Sequence, residues 1–291
     1  EEGNLVEDHP HEVFKRVSNY IAPMGGRGNK EWFNIFNIMM RNGQFRPNTP
    51  CLMNAGVQEK PQTAACFVGN MCDDLCSILD FDREAALVFA SGSGIGINFG
   101  VLREKGAALS SGGESSGPFA FIKKLASTGE AVKSGGRSRR AAIMAMFFDS
   151  HPDLLEFITL KNGADQETLR SMNLSVAVTD AFMDAVEKDY TWHLYGVVDK
   201  KVKNSHKARD IFDLIAKNAH KSGDPGVWFI DRANRDNGLI EQYGRITSTN
   251  PCFTGDTLIP TLEGAIPINE LVGKSISVND GTFWNETDSF R

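Results

Sequence analysis

The chain has no long apolar run, no excess of positive charge and few cysteines, and each absence removes a class of function. No stretch approaches the roughly 20 apolar residues that cross a bilayer, and Glu1-Glu2-Gly3-Asn4 lacks both the basic start and the apolar core of a secretion signal. A cytoplasmic protein with no membrane partner is expected. The formal net charge of −6 provides no dominant basic field, so no nucleic-acid partner is expected and any anionic ligand must be met locally. Cys51, Cys66, Cys72, Cys76 and Cys252 are an odd set of 5 and do not suit a disulfide scaffold; in a reducing compartment such residues are buried, catalytic or metal-binding. Cys66, Cys72 and Cys76 have neither a tight Cys-x-x-Cys pair nor a nearby histidine, which leaves structural zinc a weak alternative to a plain core thiol at Cys66. No metal ligand set is assigned.

What is present is globular in character: 41% hydrophobic and 23% charged residues are enough to bury a core and argue against disorder. The chain starts without Met and stops at Arg291 with no visible cap, as a piece of a longer protein would. Apolar residues at helical spacing (Val13, Phe14, Val17 and Tyr20, then Trp32, Ile35, Phe36, Ile38 and Met39) predict two amphipathic helices broken near Pro23. Further on, residues 64–68, 141–148, 174–178, 192–195 and 227–230 read as strands, the first of them short and buried. Helices are predicted over 80–90, 119–132, 152–160, 181–186 and 208–221. This alternation predicts a parallel α/β arrangement, barrel or open sheet.

Two loops invite a ligand. Residues 91–100 carry Gly92, Gly94, Gly96 and Gly100 in a spacing that fails the dinucleotide-binding pattern, yet predicts a backbone that turns tightly or approaches a ligand closely, with N–H groups able to cradle a phosphate. Lys133, Arg137, Arg139 and Arg140 surround the pair Gly135-Gly136, a composition suited to a mobile loop folding over a phosphate or base, and equally to an exposed basic turn.

In order along the chain stand Asn48-Thr-Pro-Cys-Leu-Met-Asn-Ala-Gly56, Ala64-Ala-Cys-Phe-Val68, Gly92-Ser-Gly-Ile-Gly-Ile-Asn98, Leu102-Arg-x-Lys-Gly106, Lys133-x-Gly-Gly-x-x-Arg139, His151-Pro-Asp-x-x-Glu-Phe157, Asn173-Leu-Ser-Val176, Phe229-Ile-Asp-Arg-x-Asn-Arg-Asp236 and Thr249-Asn-Pro251. Together they resemble the class II, adenosylcobalamin-dependent ribonucleotide reductases over residues 10 to 251. The resemblance implies a helical N-terminal part (1–45) followed by the first half of a ten-stranded α/β barrel (46–251). It also implies thiyl-radical reduction of a ribonucleotide substrate to its 2′-deoxy form, with a thiol reductant such as thioredoxin as partner. Carried onto this sequence, Cys66 is the first of two reducing cysteines; Thr49, Ala65, Cys66 and Gly94 line the substrate; and Asn250 hydrogen-bonds the ribose. Asp73 and Arg103 fall at the site of an allosteric nucleotide effector, and residues 133–140 at the loop linking effector to substrate choice. Where a serine is common before the reducing cysteine pair, this chain has Ala64.

The resemblance breaks at Cys252. Reductases continue Asn-Pro-Cys-Gly-Glu, whereas this chain reads Asn250-Pro-Cys-Phe-Thr254, losing the catalytic glutamate. Cys252-Phe-Thr-Gly-Asp-Thr-Leu-Ile-Pro260, Ile266-Pro-Ile-Asn-Glu-Leu-Val272 and Val278-Asn-Asp-Gly281 resemble the opening of an intein of the hedgehog/intein fold, a β-rich fragment over 252–291. That implies Cys252 as the splicing nucleophile attacking the Pro251 carbonyl, and a partner carrying the C-terminal half of intein and enzyme. As it stands, such a fragment would neither splice alone nor reduce nucleotides. Three alternatives stand beside it: Cys252 as the radical cysteine of a divergent reductase, a class I large subunit, and an autoprocessing element on an inert host.

Overall fold

The computed structural model describes residues 6–25, 28–57, 59–132, 142–162, 169, 172–250, 258–261, 264–267, 276–279 and 284–287. The chain opens with helices α1 (Pro10–Ile21) and α2 (Asn29–Arg41), followed by the short α3 (Thr49–Asn54). Pro10 sits in the first turn of α1, where a missing N–H leaves nothing unpaired. Asn48 caps α3 by accepting from the Cys51 N–H at 2.9 Å. At the other end Arg16 donates to the carbonyls of Leu52 and Ala55 while pairing with Glu7, so one guanidinium ties α1 to α3. Val17, Met40, Cys51 and Ala55 form a small core of their own.

The sequence then alternates strand and helix: β1 (Cys66–Val68), α4 (Leu75–Ala90), β2 (Gly94–Asn98), α5 (Pro118–Ala131), β3 (Ile143–Phe148), α6 (Leu154–Ile158), β4 (Met172–Val178) and α7 (Asp180–Glu187). A hairpin of β5 (Thr191–Tyr195) and β6 (Val202–Lys207) follows, then α8 (Ala208–Ser222), β7 (Gly226–Phe229), α9 (Ile230–Arg235) and α10 (Ile240–Tyr243). The main sheet runs β1-β2-β3-β4-β7 with every pair parallel. Strands therefore sit side by side in chain order, and right-handed crossovers place the connecting helices on one face. That face holds the large core, where Ile97, Ile143, Phe147, Leu174 and Val176 meet Phe89, Ile122, Leu125, Phe157 and Phe182. Phe147 is sandwiched between Phe119 and Phe157, with ring centroids 5.8 and 4.5 Å away.

Parallel strands need cover on both faces. On the second face Met144, Met146, Ala177 and Ile230 form a separate cluster against Phe148 and Trp228. This is the face that would look into a closed barrel.

Three expectations need correction. Residues 94–98, read as part of a glycine loop, are the fully buried strand β2, and the N–H of Gly94 is taken by the Ala65 carbonyl at 2.9 Å, so it is not offered to a phosphate. The strand near Cys66 is short but not buried: β1 is an edge strand, and only Phe67 packs into the core while Cys66 and Val68 are exposed. Residues 192–195 form a strand outside the main sheet, paired antiparallel with β6, whose sequence is almost wholly exposed and polar and carries no alternation to announce it.

Beyond the barrel residues, β8 (Leu258–Thr261), β9 (Gly264–Pro267), β10 (Ile276–Asn279) and β11 (Trp284–Thr287) form a second, antiparallel sheet in the order β11-β10-β8-β9. Among the described residues no helix is long and apolar enough to cross a membrane.

Candidate functional site

Side chains alternate across a strand, so the register decides which residues share the open face. Cys66 pairs with Gly94, Val68 with Gly96, Gly96 with Met144 and Asn98 with Met146. The open face of β1 to β3 is thus a cysteine, a valine, two glycines, an asparagine, two methionines and Phe148.

Residues 246–250 lie over this face. Asn234, buried on α9, accepts from the Ile246 N–H at 2.7 Å and donates to the Ile246 carbonyl at 2.8 Å, which fixes where the segment begins. The Asn98 amide donates to the Thr247 carbonyl at 2.9 Å, and the Thr249 N–H donates to the thioether sulfur of Met146 at 3.2 Å. The Asn250 amide donates to the Phe67 carbonyl at 3.2 Å. Gly96 is what allows this approach. A Cβ on Gly96 would stand 1.9 Å from the Thr249 oxygen, whereas one on Gly94 would crowd the Ala142 carbonyl at 2.9 Å and reach the Asn250 side-chain oxygen only at 3.4 Å.

The structure therefore brings Cys66, Gly94 and Asn250 together at the β1–β2 edge, with Ala65 beside them through its bond to Gly94. Ser93, buried, donates to the Ala64 carbonyl at 2.8 Å and holds the strand entry that carries Ala65 and Cys66. Thr49 is the exposed first residue of α3, and Gln62 ties that helix to the same entry: its carbonyl accepts from Asn54 and its side chain from the Ala64 N–H.

Asp73 and Arg103 meet beyond the C-terminal ends of β1 and β2. The Arg103 guanidinium lies 2.8 Å from the Asp73 carboxylate, which also accepts from the Arg103 backbone N–H at 3.0 Å. Residues 133–140 and Cys252 lie outside the described residues.

Just past β3, burial pushes the His151 imidazole below its usual range. It is held neutral in one tautomer: Nε2–H donates to the Leu102 carbonyl at 2.9 Å, and Nδ1 accepts from the Asp153 N–H at 3.0 Å. The His-Pro-Asp motif is thus an architectural clamp between the β2 and β3 ends. Asn98, Met146, Ser93 and Asn234 are the residues that sequence reasoning left without a role. Asn98 and Asn234 stood inside quoted motifs, but Met146 looked like any strand methionine.

Five parallel strands in chain order, with a thiol, a carboxamide and bare glycine backbone on one face, belong to the α/β barrel class. The family models agree with the particular member of that class: "Ribonucleotide reductase, barrel domain" matches residues 64–254 and "Ribonucleotide reductase, all-alpha domain" residues 1–60. The chain belongs to the ribonucleotide reductase family. It is 38% identical over 252 residues to a vitamin B12-dependent ribonucleoside-diphosphate reductase of Thermoplasma acidophilum, covering 86% of this chain and 32% of that protein. It is 41% identical over 224 residues to one of Mycobacterium tuberculosis, covering 77% and 32% respectively. A ribonucleoside-diphosphate reductase large subunit of Caenorhabditis elegans is 29% identical over 273 residues, covering 85% of this chain and 34% of that protein. The chain spans about a third of the length of these three relatives.

Proposed function

We propose that this chain is the first half of the barrel of a vitamin B12-dependent ribonucleoside-diphosphate reductase, joined near residue 252 to the start of an intein. The observation that carries the reductase reading is the juxtaposition of Cys66, Gly94 and Asn250 on the open face of a parallel half-barrel. Identity to the B12-dependent proteins, 38% and 41%, exceeds the 29% to the large subunit, which favours cobalamin over a separate radical subunit.

In this reading the Cys66 thiol is one of two S–H groups that together give two protons and two electrons: one proton leaves with the ribose 2′-hydroxyl as water, the other hydrogen and the electron pair end in the new C2′–H bond, and the two sulfurs close to a disulfide that a thioredoxin-type dithiol reopens. Asn250 holds the ribose by its amide, and Gly94 leaves room for the sugar against the sheet. The residues gathered here suit a ribose and do not by themselves build a site for a corrin ring. The Asp73–Arg103 pair belongs to the nucleotide effector site, with Lys133, Gly135, Gly136, Arg137, Arg139 and Arg140 relaying effector identity. The domain division is 1–45, 46–251 and 252–291. The antiparallel sheet over 258–287, apart from the parallel one, and a barrel match that stops at residue 254 support the intein reading.

The full-length, spliced protein should reduce a ribonucleoside diphosphate when given adenosylcobalamin and a dithiol, and Cys66→Ser should stop turnover. Reduction without cobalamin, driven by a metal-radical subunit, would sink the class II assignment. Intact mass of the 291-residue chain with a candidate C-terminal intein half tests the junction. Cleavage after Pro251 that Cys252→Ala abolishes supports the intein, and reductase activity that retains Cys252 unspliced overturns it.

A further inference from the structure

We propose that Met146 and Asn98 are positioning residues whose task is to set Asn250 against Cys66. The inference rests on the reductase reading, because Asn250 acts on a ribose only there. Met146 has no exposed surface and Asn98 is 2% exposed, so both lie between the sheet and residues 246–250. A methionine there fills volume that leucine would fill as well. What sulfur adds is an acceptor, weak but sufficient, for the Thr249 N–H, a half-buried donor turned toward the sheet.

Asn98 is committed at both ends. Its oxygen accepts from the Gly100 N–H at 2.9 Å and its nitrogen donates to the Thr247 carbonyl at 2.9 Å, so the amide cannot rotate without losing one bond. The two side chains come from adjacent strands and are paired in register. They grip the segment at alternate residues, 247 and 249, and the next residue is Asn250. Its amide in turn bonds the backbone of Phe67, next to Cys66 in β1. A shift of the segment along the sheet would carry Asn250 away from the thiol while leaving the core beneath untouched, because that core lies on the other face.

The test uses the full-length reductase with Met146→Leu and Asn98→Ala, each alone and combined with Asn250→Ala, reading kcat and KM for the ribonucleotide. Each single change should lower kcat/KM about tenfold, the usual weight of one buried hydrogen bond. Added to Asn250→Ala, either should cost nothing further, since a residue that acts by placing Asn250 has nothing left to place. Losses that multiply in the double variants overturn the proposal, as do single variants with wild-type kcat/KM. Met146→Leu conserves volume and keeps the test decidable if Asn98→Ala fails to fold. A wild-type enzyme that reduces no ribonucleotide overturns both this proposal and the reading beneath it, whereas an active wild type with unaffected variants overturns this one alone.

Discussion

The carbonyl oxygen of Thr249 occupies the space where a side chain on Gly96 would begin, 1.9 Å from an ideal Cβ. Strand β2 cannot retreat, because β1 and β3 hold it on both sides. The crossing segment is held to strand residues by three side-chain hydrogen bonds. Gly96→Ala should therefore lift the segment and leave the strand in place. The expected cost is about 1–3 kcal/mol, as for other overpacked sites, read by denaturant unfolding. Backbone amides of residues 247–250 should exchange faster while those of β2 stay protected.

The aromatic stack under the sheet makes a prediction of the opposite kind. Phe147 has no exposed surface and lies between two rings and against His151. Phe147→Ala should cost about 3–5 kcal/mol through lost burial and an unfilled cavity. Phe147→Leu should cost less. Equal unfolding midpoints for the two variants would contradict a close-packed stack.

Helices α1, α2, α5 and α8 and strands β3 and β4 were legible in the sequence because their cause is local: a 3.6-residue apolar period, or a continuous apolar run covered on both faces. β2 was not, since a run of glycines reads as a loop until its partner is known, and that partner lies far along the chain: Asn98 and Thr247 are 149 residues apart. β6 carries no apolar signal because neither of its faces is buried deeply. Cys66 and Asn250 could be named from resemblance, but their proximity, 183 residues apart at the Asn250–Phe67 bond, is visible only in the fold. The roles of Asn98, Met146 and Ser93 arise only from what crosses above or beside them, which no spacing in the sequence encodes.

Arg103 holds Asp73 by one charged Nε–H bond to the carboxylate and by its own backbone N–H. The side chains are 24% and 23% exposed, so solvent screens the pair, and Arg103→Ala should change stability by no more than about 1 kcal/mol. Effector affinity should fall about tenfold if the pair shapes a nucleotide site, since a charge-assisted contact is lost. Arg103→Lys should recover only part of it, because an ammonium cannot bond the Asp73 carboxylate and the Ala108 carbonyl in the same fixed geometry. Calorimetric titration of the full-length enzyme with nucleoside triphosphates checks this, and unchanged affinity in Arg103→Ala would remove the pair from the effector site.

Asp149 gives the chain a pH dependence opposite to that of an ordinary carboxylate. Burial raises its pKa from 3.8 to about 6, against the hydrogen bonds it accepts from the Thr179 N–H and hydroxyl, both 2.7 Å, and with added repulsion from Asp231. Between those two values the folded chain keeps a proton that the unfolded chain releases, so stability from this group is full below about pH 4 and is lost as pH rises through about 6. At about 1.4 kcal/mol per unit, the loss reaches about 3 kcal/mol. Other carboxylates add slopes of their own, so the measurement is a difference: urea unfolding of wild type and Asp149→Asn from about pH 4 to pH 8. Asparagine still offers Thr179 an acceptor but cannot titrate. The wild type should lose ground to the variant as pH rises and hold a constant gap above about pH 7. A gap that stays flat across the whole range would mean that Asp149 is ionised throughout, with the Thr179 bonds outweighing burial.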